Sequence, residues 1–350
     1  MRHVRSICPH FFIWRAKIFT SGVAFEIFLT RAARENKFRN MKGKLFIAVV
    51  STTIFCAAQS FAYNFLFTAH SKGGQVSLVN GNGEIVWTIN AKHPQRADVS
   101  PDGKSIFISE SHGAKMVDKQ SKKILWEYVT PKVKWDGEDA QKVKKGDTVW
   151  LENPVAQILE DGRFLVGNEG KTSLIEINSK GEELKRIVSE SLRRVRHGEF
   201  RLASKTPAGT YLFPLLESSL LTEYDADGNQ ILRIKTNGGV VGAQRLANGD
   251  ILAGGFFGVA IFNRKGEMVW NFSAEELKRE SKAKSQIIIC DVKELPNGNI
   301  LCSTYAGKDM PDIMEITKDK RVVRILDYPE ITHFSALQIL DDDFKPIKGK

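Results

Sequence analysis

The sequence predicts an all-β fold, a six-bladed β-propeller with four antiparallel strands per blade. Three observations predict it: a hairpin pattern that recurs six times, a second hairpin ahead of five of those copies, and one orphan strand at the end of the chain.

Each recurring hairpin alternates with period 2, closes on Asp or Asn, turns through a short polar stretch and resumes as a second strand. The copies are QVSLVNGNGEIVW (75–87), AKMVDKQSKKILW (114–126), SLIEINSKGEELK (173–185), LLTEYDADGNQIL (220–232), VAIFNRKGEMVW (259–270) and DIMEITKDKRVVR (312–324). Trp87, Trp126 and Trp270 occupy the same slot. A flat ring there covers the joint between neighbouring sheets while its N–H reaches a partner. The second hairpins turn at Pro101-Asp102-Gly103, Glu160-Asp161-Gly162, Pro207-Ala208-Gly209, Ala247-Asn248-Gly249 and Pro296-Asn297-Gly298. Four strands per unit at a spacing of roughly 40–50 residues is the pattern of propeller blades.

The first unit starts at FLFTAH (65–70) and lacks an innermost strand. SALQILDDD (335–343) aligns with VAQILEDG (155–162), and no further unit follows it. The C-terminal strand is therefore expected to complete the first blade, which leaves the ring without an open edge.

Antiparallel strands counted outward from the axis put the first–second and third–fourth turns on one face, where they are short. The other face receives the second–third loops and the connections between blades. The insertions 127–152, 187–199 and 271–286 fall there, as does the loop 306–312. Long connections on one side of a rigid scaffold are where binding concentrates. His93, His197 and His333 precede inner strands on that face, and His70 and His112 sit in second–third loops. Arg96 and Arg201 stand near the starts of inner strands. His93, His197, His333, Arg96 and Arg201 are the candidate catalytic residues; His70, His112, Glu152, Glu169, Gln244 and Asp291 are the candidate ligand contacts. Imidazoles converging on one mouth leave a metal ion open as a cofactor, although no HxH or HExxH spacing is present. No Gly-rich phosphate loop and no GxSxG elbow occurs.

The net charge of +10 does not mark the propeller as a nucleic-acid binder. Residues 1–40 hold eight Lys/Arg against Glu26 and Glu35, which is +6, and Lys42 and Lys44 add 2, leaving +2 for the rest. Met41-Lys42-Gly43-Lys44 followed by an apolar run to Ala58 and small residues at Ser60 and Ala62 reads as a signal peptide over 41–62. Cleavage near Ala62 delivers 63–350 to the periplasm or the exterior as a monomer with no transmembrane segment. Residues 1–40 then read as a start-site artefact or a disordered extension. Cys290 and Cys302, the two cysteines of the mature body, are expected to be unpaired buried side chains.

The Gly-Glu-x-Val-Trp endings at 83–87 and 266–270 resemble the tryptophan motif of the bacterial PQQ-like (quinoprotein-type) propeller repeats. AQILEDGRFLVG (156–167), EFRLASKTPAGTYL (199–212), AQRLANGDILAG (243–254) and LPNGNILC (295–302) look like an uncharacterised exported six-bladed subgroup, and the resemblance covers 63–343. The quinone dehydrogenases of that family have eight blades and an adjacent cysteine pair; both are missing here, which argues against PQQ as cofactor. More distantly the chain is similar to arylsulfotransferases, which implies channel-mouth chemistry by His and Arg, and to the outer-membrane assembly scaffold, which implies protein binding alone. The leading reading is a binding or scaffold module that holds a protein, glycan or small ligand on the loop-rich face and central channel. The alternative is a transferase, lyase or hydrolase at the channel mouth. A converging cluster of histidines with a basic neighbour, at hydrogen-bonding distance in a deep axial pocket, favours the enzyme; histidines scattered on the rim or hydrogen-bonded to loop backbone favour the module.

Overall fold

The structure, a computed structural model, describes residues 14–20, 23–29, 63–137, 143–191, 195, 197–305 and 309–347. The expected signal peptide at 41–62 and its cleavage site near Ala62 lie outside the described residues, as does most of 1–40. The chain divides into two units, Met1–Cys56 and Ala57–Lys350. In the first, Trp14–Thr20 pairs antiparallel with Val23–Leu29. The second is the propeller.

Six four-stranded antiparallel sheets make up the ring. From the axis outward, blade 1 is Phe334–Leu340, Asn64–Ala69, Gln75–Val79 and Ile85–Asn90. Blade 2 is Ala97–Val99, Ser105–Glu110, Gly113–Asp118 and Ile124–Val129. Blade 3 is Ala156–Ile158, Phe164–Asn168, Ser173–Ile177 and Glu183–Val188. Blade 4 is Ser204–Lys205, Tyr211–Leu215, Leu220–Tyr224 and Gln230–Lys235. Blade 5 is Val240–Arg245, Ile251–Gly255, Gly258–Phe262 and Met268–Ser273. Blade 6 is Ile289–Glu294, Ile300–Thr304, Ile313–Ile316 and Val322–Leu326.

The expected closure is present. The C-terminal strand pairs with the first blade strand in the register Leu337↔Phe67, Gln338↔Leu66, Ile339↔Phe65 and Leu340↔Asn64. A register shift recurs between the third and outer strands of every blade, at Leu78/Val79, Met116/Val117, Glu176/Ile177, Glu223/Tyr224, Ile261/Phe262 and Glu315/Ile316. A bulge at one fixed position raises the local twist identically in each sheet.

The core is six hydrophobic clusters, one at each blade–blade interface. The tryptophan slot works as the sequence suggests. Trp87 Nε1 of blade 1 donates to the Lys119 carbonyl of blade 2 at 2.7 Å, and Trp270 Nε1 of blade 5 to the Lys318 carbonyl of blade 6 at 2.8 Å. Trp126 of blade 2 stacks on Phe164 of blade 3 with ring centroids 5.2 Å apart.

Around the axis each inner strand is tied to the next. The Gln338 side-chain oxygen accepts from Val99 N at 2.8 Å, Asp98 Oδ2 from Ile158 N at 3.2 Å and Gln157 Oε1 from Lys205 N at 2.9 Å. Gln244 Oε1 accepts from Glu294 N at 2.8 Å, and Asp291 Oδ2 from Leu337 N at 2.8 Å. Blades 4 and 5 come close enough for a backbone bond, Leu202 N to the Val241 carbonyl at 3.3 Å. Gly242 follows from this crowding, because a Cβ there would lie 2.4 Å from the Cys290 carbonyl of blade 6. Cys290 sits at the shift between Ile289 and Asp291, opposite Thr304 and Ser303 rather than the loop beyond them. Cys290 and Cys302 are both free and buried.

Two insertions take up regular structure. Lys132–Lys134 pairs with Thr148–Trp150, and Ala274–Ser281 is an α-helix. Ser273 caps that helix at Glu276 N, and Glu276 returns the bond to Ser273 N, so the Ser273-Ala274-Glu275-Glu276 sequence forms a capping box. No helix of the described residues is long and apolar enough to cross a membrane.

The closing strand buries Phe334, Leu337, Ile339 and Leu340 to 3% exposure or less. At roughly 1.5–3 kcal/mol per large apolar side chain, its removal costs about as much as the whole stability of an ordinary domain. A chain ending at Thr332 is expected to aggregate or to lose its cooperative melt, and a peptide spanning 333–350 is expected to restore a monodisperse, cooperatively melting species. Size exclusion and circular dichroism melting check this; an unchanged melt in the truncated chain would contradict the closure.

Candidate functional site

The loop-rich face opens into a cavity of about 590 Å³ on the axis. Its walls differ. Blades 1 to 4 supply His70, His93, Gln95, Ser111, Glu152, His197 and Arg201, while the arc from blade 4 to blade 6 supplies Leu216, Val241, Phe256, Ile288 and Cys290. Tyr305 stands between the two, at the end of the second strand of blade 6.

The polar wall is organised around one guanidinium. His197 Nδ1 lies 2.7 Å from Glu152 Oε2, and Arg201 Nη2 lies 2.9 Å from His197 Nε2. A guanidinium has no acceptor, so Nε2 must accept and Nδ1–H donates to Glu152. His197 is therefore a neutral imidazole in this arrangement, with both nitrogens committed. Arg201 Nη1 faces Glu169 Oε2 at 3.5 Å, and neither atom has a hydrogen-bond partner.

Glu169 owes its place to an insertion. It opens a 3-10 turn, Glu169–Lys171, between the second and third strands of blade 3. Its backbone N–H donates to the Glu152 carbonyl at 3.0 Å. The hairpin of insertion 127–152 brings Trp135 and Leu151, both fully buried, onto Gly170, where a Cβ would lie 2.6 Å from Leu151 and 2.7 Å from Trp135. On the other side Gly198, at φ +104°, aims its N–H at Glu169 Oε1. A side chain at that φ is strained, which explains the glycine.

Burial dominates the electrostatics. Glu169 is fully buried, and desolvation, opposed by Arg201 and reinforced by Glu152, raises its carboxyl to about 7. Burial also works against the Glu152 carboxylate, but the His197 hydrogen bond, with the Arg201 charge, holds it below its ordinary range. His70 is lowered to about 4, by burial first, then by Arg201 and His93. Its Nε2 is buried without a hydrogen-bond partner, and the Pro94 backbone opposes the lowering.

The candidates divide between three places. His70, His93, Glu152, His197 and Arg201 line the cavity, with Glu169 directly behind Arg201. His333 backs onto Tyr305, ring centroids 4.6 Å apart, and its carbonyl accepts from His70 N at 3.1 Å. His93 and His333 both adopt left-handed backbone, φ 50° and 59°, a strain on the order of 1–3 kcal/mol each. His112 lies outside the cavity, stacked on Trp150 at 5.6 Å beside Lys92 and Glu110.

Arg96, Gln244 and Asp291 serve elsewhere. Arg96 binds Asp98 and the Ala203 carbonyl at 3.3 Å and, with Gln244, lines a second cavity of about 390 Å³ at the opposite mouth. The cations of that mouth, Lys205, Arg245 and Lys293, are paired with buried Glu176, Glu223 and Asp291. Gln244 and Asp291 are inner-ring ties, and Asp291 is 1% exposed. Gln244 and Asp291 lie within their inner strands, below the mouth, and Arg96, just ahead of Ala97–Val99, is drawn to the lower channel by Asp98 and the Ala203 carbonyl. Sequence reading passed over Tyr305 and Phe256, 45% and 39% exposed at the rim. Their only signal was an aromatic at the head of a second–third loop.

Glu152, Glu169 and His197 place ligand atoms within 4.8 Å of one another, the only such metal-like grouping among the described residues. In this arrangement Glu152 and Arg201 engage both His197 nitrogens and Arg201 faces Glu169, so a metal ion bound there would have to displace Arg201.

No protein-family model and no curated protein matches the chain. Among solved structures it is similar to a protein of unknown function from Bacteroides caccae, at 24% identity and TM-score 0.61, covering 78% of this chain and 98% of that one. It is also similar to the WD40 β-propeller domain of Doa1, at 12% identity and TM-score 0.50, covering 73% and 76%. At these identities the likeness speaks for the fold. A β-propeller suits a binding or scaffold role.

The raised Glu169 carboxyl has a consequence for stability. Between pH 4.5, where the unfolded group titrates, and pH 7 the folded protein holds the proton and the unfolded chain releases it, so stability from this group is lost as pH rises. Asp312, raised to about 7 mainly by burial, acts in the same direction. Glu169→Gln, which keeps the acceptor for Gly198, is expected to match the wild type near pH 5 and to exceed it by on the order of 1–3 kcal/mol at pH 8. Denaturant melts at the two pH values measure the difference; a pH-independent gap contradicts the assignment.

Proposed function

We propose that the protein is an exported propeller of PQQ-like type that binds a small anionic ligand in the wide mouth of its channel, with Arg201 as the anion anchor. The observation that carries this reading is the partly buried guanidinium itself. Arg201 is held in place by the Glu152–His197 chain, its Nη1 lacks a hydrogen-bond partner, and it lines a cavity of about 590 Å³. That volume suits a small ligand, and a few convergent polar groups over an apolar lining are the usual make-up of such a site. The export reading rests on the 41–62 pattern, and the PQQ-like reading on the repeat motifs ending at Trp87 and Trp270.

Glu169 is the resting counter-ion. An incoming carboxylate or other anion competes with it for Arg201, and protonation of Glu169 releases the guanidinium. Affinity for an anion is therefore set by pH in the range where Glu169 titrates, about 7.

The enzyme reading retains one specific support, the Glu152–His197–Arg201 chain at 2.7 and 2.9 Å. A general base, however, needs a lone pair that the substrate reaches. Arg201 occupies that of His197, so the chain orients a cation better than it moves a proton.

Isothermal titration with cyclohexanecarboxylate and with neutral cyclohexylmethanol tests the reading. The acid is expected to bind and the alcohol not, with affinity rising about five- to tenfold from pH 8 to pH 6. Arg201→Gln is expected to abolish the difference between acid and alcohol. Equal binding of both compounds, or an acid affinity that falls toward pH 6, would refute it.

A further inference from the structure

We infer that the ligand of this cavity is a hydroxylated ring acid of monosaccharide size, a hexuronate, whose carboxylate meets Arg201, whose hydroxyl donates to His70 and whose apolar ring face lies on the wall beside Phe256. The inference rests on the reading of Arg201 as anion anchor and adds the rest of the ligand to it.

The first support is the unspent lone pair of His70. His70 lines the cavity wall, and its Nε2 is buried with no hydrogen-bond partner. Burial, with Arg201 and His93, lowers its pKa to about 4, so the ring is neutral and carries one lone pair. A buried acceptor left unmade costs free energy, so a ligand that brings an O–H or N–H donor is favoured over one that does not. Arg201 and His70 line the same cavity, so the anion site and the acceptor serve one small molecule.

The second support is the division of the walls. Leu216, Val241, Phe256 and Ile288 form an apolar arc, and Phe256 and Tyr305 keep exposed aromatic surface at the rim. The opposite arc carries imidazoles, Glu152 and Arg201. A flat aromatic acid satisfies the apolar arc and the guanidinium but leaves His70 unpaired. A polyol without charge leaves Arg201 unpaired. A pyranose acid has a C–H face for the aromatic arc, ring hydroxyls for His70 and Glu152, and a carboxylate for Arg201.

Titration of the wild-type protein with D-glucuronate, D-galacturonate, D-glucose and cyclohexanecarboxylate tests this, since the last has the ring and the anion without hydroxyls. At least one hexuronate is expected to bind about tenfold tighter than both cyclohexanecarboxylate and glucose, the ratio of one well-made hydrogen bond. His70→Phe is expected to bring the hexuronate-to-cyclohexanecarboxylate ratio down to about one. Cyclohexanecarboxylate binding as tightly as either hexuronate overturns the inference and leaves the anion-pocket reading standing. Binding of none of the acids overturns both.

Discussion

Everything in this molecule depends on closing the ring at its axis. An inner strand has a partner on one edge only, and the other edge faces the channel with N–H groups that require acceptors. Here the acceptors come from the neighbouring blade. Gln338, Asp98, Gln157, Gln244 and Asp291 each reach one blade onward, and the sixth junction is the backbone bond from Leu202 to Val241. The tie at Asp291 matters most, because Leu337 belongs to the strand that joins the two ends of the chain. Deleting one residue of such a buried pair strands the other, so the polar ring fixes blade number and register as strictly as the hydrophobic clusters do.

The same closure makes the functional cavity. Ties and Arg96 narrow the opposite mouth, and the loop-rich mouth keeps the larger volume, about 590 Å³ against about 390 Å³. Its electrostatics then come from insertions, not from the blades. The 127–152 hairpin seats Trp135 and Leu151 over the Glu169 turn and strips it of water. Without that cover Glu169 is an ordinary exposed loop carboxylate beside Arg201, and the guanidinium is permanently neutralised. Desolvation turns a fixed ion pair into one that a ligand of the right charge displaces.

Much of this was legible in the sequence because repetition is a strong signal. Period-2 hairpins, Gly turns and the tryptophan slot located all six blades and the closing strand. The face was legible too, since loop lengths segregate to one side, and His70, His93, Glu152, His197 and Arg201 followed from it. Other residues were not legible, for physical reasons. Arg96, Gln244 and Asp291 look like channel-lining functional groups, yet the inner strands' own amides claim the last two, and Arg96 holds Asp98 and Ala203. One sequence position along an inner strand separates a mouth residue from a structural tie. The helix at 274–281 was written in its capping box, Ser273 to Glu276, but lay in a stretch read as irregular. Tyr305 and Phe256 belong to the site through tertiary placement alone.

The choice between binder and enzyme turns on where one lone pair goes. A converging cluster of histidines with a basic neighbour at hydrogen-bonding distance was the pattern expected of an enzyme; His70, His93 and His197 share the cavity, and His197 alone bonds Arg201. The direction of the bond reverses its meaning. Because arginine can only donate, the chain runs from Glu152 through a neutral imidazole to a cation whose remaining N–H groups face a displaceable acid. Each member spends its hydrogen-bonding capacity on holding the next, and what the chain presents to the cavity is positive charge of fixed geometry. His70, whose Nε2 has no hydrogen-bond partner, stands apart from the chain. In the proposed reading, an anchor for an anion and a separate acceptor for a donor recognise a ligand's shape and charge.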